Sequence, residues 1–338
     1  MSPGIAAAMK DVEIPDVAKA ELHVHLEGTA KPELIRRIAR RNRLELPPGL
    51  FHDDETFAWK DFLDFLKAYD LAASVIRTAE DYRDITYEYL RDCAAEGAIY
   101  VELIASLDHG AAVGLPDDEH WAGIAQGIDD AEAEFGITGR ILSSAVRNFG
   151  VEAAEAVVQR TIDNPHPYVV GFNMAGDEAG YPPGPYARAF AMAADAGLGC
   201  SVHAGEWAGP ESIRGGLELP GVTRISHGVR AIEDTDLVDE LAEREIVLEV
   251  CPTSNVVLGV FDDYDHHPLR YLRERGVKVT LGSDDPPYFD ASIGREYGIA
   301  QRMGLDREDL EELTETALNA AFAPAETMKI VRGRRTTG

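Results

Sequence analysis

Short β-branched apolar runs recur along this chain, spaced so that a helix fits between each pair. The runs at 20–25, 98–104, 139–146, 168–173, 199–203, 223–227, 246–250 and 277–283 read as strands. Helical patterns fall between them, for example over 117–135, 151–163, 184–197, 234–244 and 266–275. Strands alternating with helices predict parallel βαβ units. Eight strands are the number that closes a (β/α)8 TIM barrel, an α/β fold. An open doubly wound sheet is the competitor, but no Gly-rich dinucleotide turn follows the first strand. The chain, 1–338, reads as one domain.

The alternation is interrupted after the first strand. Residues 31–96 read as a helical insertion of about three helices over the barrel mouth. Trp59, Phe62, Phe65, Leu66 and Tyr69 recur within it at helical spacing. The simplest reading is the buried face of an amphipathic helix, although such a helix can also roof a pocket. Residues 1–12 and 330–338 read as loose tails.

Charge narrows the range of partners. The formal net charge is −28 and the sequence pI about 4.6. A polyanion would be repelled, so a nucleic-acid groove is not expected, while a buried pocket for a neutral nucleoside or base is not excluded. Cys93, Cys200 and Cys251 are scattered, odd in number and without a CxxC pair. This argues against a disulfide framework or a thiolate zinc cluster and fits a reducing cytoplasm. No apolar run approaches the roughly 18 residues of a membrane span, and Ile5–Met9 is too short for a signal-peptide core. Association into a homo-oligomer is compatible with this reading.

Candidate chemistry gathers at strand ends. Side chains alternate along a strand, so His23 and His25 in Glu21-Leu22-His23-Val24-His25-Leu26-Glu27-Gly28 point the same way. In a barrel, function collects at the C-terminal ends of strands. Strand five ends in His203-Ala204-Gly205-Glu206, strand six in Ser226-His227-Gly228 and strand eight in Ser283-Asp284-Asp285-Pro286. His23, His25, His203 and Asp284 offer nitrogen and carboxylate donors suited to Zn2+. An ion so held keeps a position open for water, whose pKa it can lower to about 7. Glu206 could donate a proton, His227 could hold and deprotonate the water, and Asp285 should project toward substrate. Taken singly, Glu206 could be a helix N-terminal acid, Asp285 a cap and His227 a structural histidine. Their placement at successive strand ends favours the functional reading.

Two absences sharpen this. No lysine lies between Lys67 and Lys278, so no middle strand offers a lysine to bridge two metals, and one zinc per chain is expected. The Pro-Cys-x-x-Cys pair of the cytidine deaminases is also missing. The remaining histidines carry weaker signals. His266-His267-Pro268 reads as surface or capping, and His52, His109, His120 and His166 have no partner spacing. His109, after strand two, is a weaker candidate for substrate contact.

These residues resemble the adenosine/adenine deaminase family of the amidohydrolase superfamily over about 18–325. The segments that carry the resemblance are 21–28, Met174-Ala175-Gly176-Asp177-Glu178, 203–206, 226–228, Cys251-Pro252-Thr253-Ser254-Asn255 and 282–286. The resemblance implies zinc on His23, His25, His203 and Asp284. It implies that Glu206 protonates purine N1 and that His227 orients the attacking hydroxide and helps move its proton. It further implies that Asp285 bonds N7 and the Gly176 backbone N–H bonds N3, with His25 and Glu27 beside the substrate. Hydroxide would add at C6 and ammonia would leave.

One position departs from the best-known adenosine deaminases, in which an aspartate two residues past the second histidine contacts the ribose. Here it is Glu27, which reaches farther into the ribose space, and members acting on free adenine often carry glutamate there. Stretches such as Val101-Glu102-Leu103-Ile104 look more like bacterial chains labelled adenosine deaminase. Adenosine (with deoxyadenosine) therefore ranks first as substrate, adenine second and a modified 6-aminopurine nucleoside third. Two readings from other classes stand beside these: a metal-dependent hydrolase of esters, amides or phosphoesters, and a non-catalytic purine-binding protein. The pair Glu206 and His227 argues against the last, since binding alone needs no acid–base pair.

Overall fold

A computed structural model describes residues 12–53 and 56–335. Eight strands form one parallel sheet in sequence order. They are β1 Lys19–His25, β2 Ala98–Ser106, β3 Thr138–Val146, β4 Val169–Ala175, β5 Gly199–Ala204, β6 Val222–His227, β7 Val247–Val250 and β8 Lys278–Leu281. Each lies within two residues of the bounds read from the sequence. Just past β8, a parallel bridge between Val24 and Asp284 brings the last strand back to the first. The result is a nearly closed (β/α)8 barrel with helices on its outside.

The alternation along β1 shows how the layers divide. Ala20 and Leu22 face outward and pack with Leu318 and Val331 of two C-terminal helices, Arg307–Ala320 and Ala325–Arg335. Glu21 and His23 are buried on the other face of the strand. The barrel interior below the site is polar, with its charged groups paired across strands. Buried Arg224 on β6 makes ion pairs of 2.7 Å with Glu102 on β2 and with Glu249 on β7. Asn173 Nδ2 donates to Ser201 Oγ (2.6 Å) and Ser226 Oγ donates to Glu249 Oε2 (2.7 Å). Charges at this depth persist only because each has its partner.

Between β1 and β2 run the helices Pro32–Arg41, Phe62–Ala73 and Ala79–Ala95. The last starts in a reciprocal capping box between Thr78 and Asp81. Two helical expectations shift. The span 184–197 divides into a 3-10 turn, Gly184–Tyr186, and a helix, Ala187–Asp195. The span 266–275 narrows to Leu269–Glu274, because Pro268 can precede a helix but cannot continue one.

The C-terminal tail expected from residue 330 is corrected. Residues 330–335 complete the helix Ala325–Arg335, where Val331 is fully buried and Arg334 donates to Thr138 Oγ1 at 2.7 Å. An apolar residue at 331 and a basic one at 334 place one face on the barrel bottom, which charge alone did not reveal. The N-terminal tail, apart from Val12, and residues 336–338 lie outside the described residues. No helix among the described residues is long and apolar enough to cross a membrane. Cys93, Cys200 and Cys251 are buried and free.

Candidate active site

The end of β1 and the segment after β8 are fastened together residue by residue. His25 N–H donates to Asp284 O (3.0 Å), and Asp284 N–H donates to His23 O (3.2 Å). Below them, buried Glu21 accepts from Ser283 N (2.7 Å) and Ser283 Oγ (2.6 Å), and also from Tyr89 Oη. Asp284 adopts a left-handed backbone, φ 62°, as does His227, φ 64°. Such strain in non-glycine residues persists where surrounding structure over-determines it, and it gathers at functional sites.

These constraints bring four donor atoms together. His203 Nε2 lies 3.1 Å from His23 Nε2 and 3.1 Å from His25 Nε2. Asp284 Oδ1 lies 3.5 Å from His23 Nε2 and 3.3 Å from His25 Nε2. Zinc bonds of about 2.0–2.2 Å in a tetrahedron need ligand atoms roughly 3.3 Å apart, so the set fits a small cation of this kind. His23 Nδ1 lies 3.1 Å from Glu249 O, to which it can donate, turning the lone pair of Nε2 toward the cluster. Ser254 Oγ donates to Asp284 Oδ2 (2.6 Å), leaving Oδ1 toward the histidines. Burial, together with the neighbouring His23 and His25, holds His203 well below the ordinary histidine range, in the neutral form that can ligate. Burial opposes charge on Asp284, but bonds from His23 and His25 outweigh it and hold its carboxyl well below its usual value.

The acid–base candidates sit beside this cluster. His227 Nε2 is 3.6 Å from Glu206 Oε2 and 4.0 Å from Asp284 Oδ2. Burial, then the charges of Asp284 and Glu178, push Glu206 well above the usual carboxylate range. The loop carrying Glu206 is held by Glu178, whose carboxylate accepts from four consecutive backbone N–H groups. Gly205 donates to Oε1, and Glu206, Trp207 and Ala208 donate to Oε2 at 3.1, 2.9 and 3.1 Å. Buried Arg147 anchors the other side of the loop by donating to His203 O at 2.6 Å.

A cavity opens onto the cluster. His25, Glu27, Gly176, His203, Glu206, His227, Asp284 and Asp285 line it, with Phe62, Phe65, Leu66 and Tyr69 of the inserted helix across from them. Phe65 is 4% exposed, so the helix both packs and roofs. Asp285 is buried, and among the described residues its Oδ1 has no hydrogen-bond partner. Burial and the charges of Asp284, Glu206 and Glu27 push its carboxyl well above the ordinary range. Gly176, φ 108°, lets the chain turn beside the cavity, and Asp177 N–H donates to Asn148 Oδ1 (2.8 Å) there. Glu27 is 2% exposed and fixed from three sides. Tyr69 Oη donates to Oε2 (3.2 Å), while Tyr82 Oη and Ser106 N–H donate to Oε1 (3.3 and 3.1 Å).

The residues given metal, acid–base and substrate roles from sequence thus gather at one cavity, which all of them but His23 line. Among the weaker histidines, His109 lines it and lies 3.0 Å from Asp70 Oδ1. His120 is buried between Tyr82 and Trp121 and pushed down to about 3 by burial. His266 is exposed, whereas His267 takes the capping alternative: it is 5% exposed, accepts from Leu269 N–H at the start of the helix Leu269–Glu274 and is bonded to Asn255. Sequence reasoning assigned no role to Glu178, Arg147, Ser254 or Asn255. Three of them lie in motifs it quoted, but nothing local marks which partner each would meet.

The profile of the adenosine deaminase family matches residues 18–334. Adenine deaminase of Sinorhizobium medicae is 46% identical over 310 residues, 91% of this chain and 95% of that protein. The structure of adenine deaminase from Arthrobacter aurescens superposes with a TM-score of 0.88 at 30% identity, covering 95% of this chain and 98% of that one. An amidohydrolase from Burkholderia ambifaria, with bound zinc, shares the fold (TM-score 0.82, 23% identity, 97% and 94% covered). The chain belongs to the adenosine deaminase family, metal-dependent hydrolases that deaminate 6-aminopurines.

Proposed function

We propose that this chain deaminates free adenine to hypoxanthine and ammonia, with one zinc ion per chain held by His23, His25, His203 and Asp284. The observation that carries the choice of adenine is Glu27. Its carboxylate is fixed by Tyr69, Tyr82 and Ser106, and a purine bonded by Asp285 at N7 and Gly176 at N3 would turn N9 toward it. A free base offers N9–H there as a compact donor, whereas a nucleoside would have to fit a whole ribose past the fixed carboxylate before any hydroxyl could reach it. The relatives named adenine deaminase support the same order, reversing the ranking of adenosine ahead of adenine read from sequence. No Lys or Arg is among the described residues lining the cavity, so a 5′-phosphate would meet carboxylates without a counter-charge.

Bound in this histidine-rich set, zinc supplies a water activated as a nucleophile near neutral pH. The residues of the chain do the rest. Asp285, kept protonated by burial, donates to N7 and so selects the N9–H tautomer, which Glu27 receives. The Gly176 N–H faces N3. Glu206, also protonated, gives its proton to N1 and makes C6 electrophilic. His227 orients the incoming oxygen. As the C6–N bond breaks, one proton of the water leaves with the amine as ammonia and the other restores Glu206, while N1 keeps its proton in hypoxanthine. Phe62, Leu66 and Tyr69 limit bulk water around these groups.

The test is ultraviolet absorbance of zinc-loaded protein with adenine, adenosine, deoxyadenosine and AMP in parallel, alongside metal analysis. Adenine should give the highest kcat/KM, with one metal per chain. A higher value for adenosine overturns the substrate assignment. Two metals with activity on esters or phosphoesters would favour the broader hydrolase reading.

A further inference from the structure

His227 is tied to the protein by a chain of hydrogen bonds with a fixed direction. The direction is set at its far end, where Leu269 N–H, a group that can only donate, gives to His267 Nδ1 at 3.2 Å. His267 is buried, and burial alone pushes it down to about 3, so it is neutral and its one proton sits on Nε2. That Nε2 lies 3.2 Å from Asn255 Oδ1 and donates to it. The Asn255 amide is thereby oriented, with Nδ2 facing His227 Nδ1 at 3.2 Å. An amide nitrogen has only protons to offer, so His227 Nδ1 must accept. Its remaining proton then resides on Nε2, the nitrogen that faces Glu206 and the metal cluster.

The chain is built into the fold. Asn255 is fully buried on the helix Pro252–Val257, and its backbone carbonyl accepts from Val260 N (2.8 Å) and Phe261 N (3.2 Å). These bonds turn the loop that brings His267 back beneath His227, where Phe261 packs edge-on against the His267 ring at 5.3 Å.

We propose that His267, acting through Asn255, holds His227 in the tautomer that presents an N–H to the reacting centre. Both are positioning residues. The inference rests on the deaminase reading and deepens it: His227 donates to the incoming oxygen and stabilises charge developing on it, rather than starting as a bare acceptor.

Nitrogen-15 NMR of the histidines in zinc-loaded protein tests this without turnover. Wild-type His227 should show unprotonated Nδ1 and protonated Nε2, and His267 the same. In Asn255→Asp, an acceptor-only side chain of the same shape should move the His227 proton to Nδ1. It should lower kcat by about 10²-fold while the KM for adenine and zinc content change little. His267→Leu should lose both the tautomer and kcat, and His267→Gln, which keeps a donor, should recover much of each. A wild-type His227 protonated on Nδ1, or Asn255→Asp with unchanged kcat, overturns the proposal. Inactivity of the wild type on every purine would instead remove the deaminase reading, while the spectrum still decides the tautomer.

Discussion

Ser254 Oγ donates to Asp284 Oδ2 at 2.6 Å and thereby decides which oxygen of Asp284 faces His23 and His25. Groups behind a ligand that fix its orientation commonly contribute 10- to 100-fold in metal affinity. Ser254→Ala should therefore weaken zinc binding by roughly that factor, measured by competition with a chelator. Activity should return at saturating zinc. Unchanged affinity would mean that Asp284 is held by its backbone bonds alone.

Gly28 touches the site through the absence of a side chain. A Cβ there would fall inside the Asp285 carboxylate and 2.9 Å from Tyr69 Cε2. Gly28→Ala should displace Asp285, the group proposed to bond N7. A misplacement of about 1 Å can cost about 100-fold, and kcat/KM for adenine should fall by that order with zinc content intact. Steady-state kinetics with parallel metal analysis would show this, and wild-type kinetics would remove Asp285 from substrate contact.

Glu178 gathers the N–H groups of residues 205–208 into one carboxylate. Glu178→Ala leaves these donors without their partner, at a cost of about 2–4 kcal/mol, readable by urea unfolding. Glu178→Gln keeps one acceptor oxygen but turns NH2 protons toward N–H donors. It should fold less stably than wild type and lose kcat as Glu206 shifts. A Gln variant with full kcat would show that Glu206 is placed without this clasp.

Glu296 predicts a pH effect on stability away from the metal. It is fully buried, with no partner for Oε1 among the described residues and Oε2 accepting from Thr253 N at 3.2 Å. Burial raises it to about 8 from an ordinary 4.5, against weaker lowering by Thr253. The folded state thus binds a proton that the unfolded chain has released between these values. Its stabilising contribution is complete below about pH 4.5, declines as pH rises and is gone above about pH 8. Glu296→Gln should flatten the fall in Tm between pH 5 and 8, by the equivalent of a few kcal/mol. Parallel wild-type and variant Tm curves across that range would contradict it.

How far the sequence carries differs between layers of the molecule. The eight strands were legible because short, largely apolar runs, several of them rich in Val and Ile, recur between turns with room for a helix between each pair. The C-terminal helix Ala325–Arg335 was missed because its charged residues resemble a solvated end, and only contact with β1 and β2 reveals its buried face.

The sequence by itself determined the barrel, the parity that turns His23 and His25 the same way, and the donors His203, Glu206, His227, Asp284 and Asp285 at strand ends. These follow from local periodicity and from the chemistry of residue types, which a linear chain displays. Tertiary structure alone decided which groups hold those donors. Ser254 faces Asp284, Glu178 grips the Glu206 loop, and His267 reaches His227 through Asn255. Hydrogen-bond partners far apart in the chain depend on distance and direction in space, and no spacing in sequence records either. Glu27 joins the two layers: its identity was plain in the opening motif, but Tyr69, Tyr82 and Ser106 fix where its carboxylate stands.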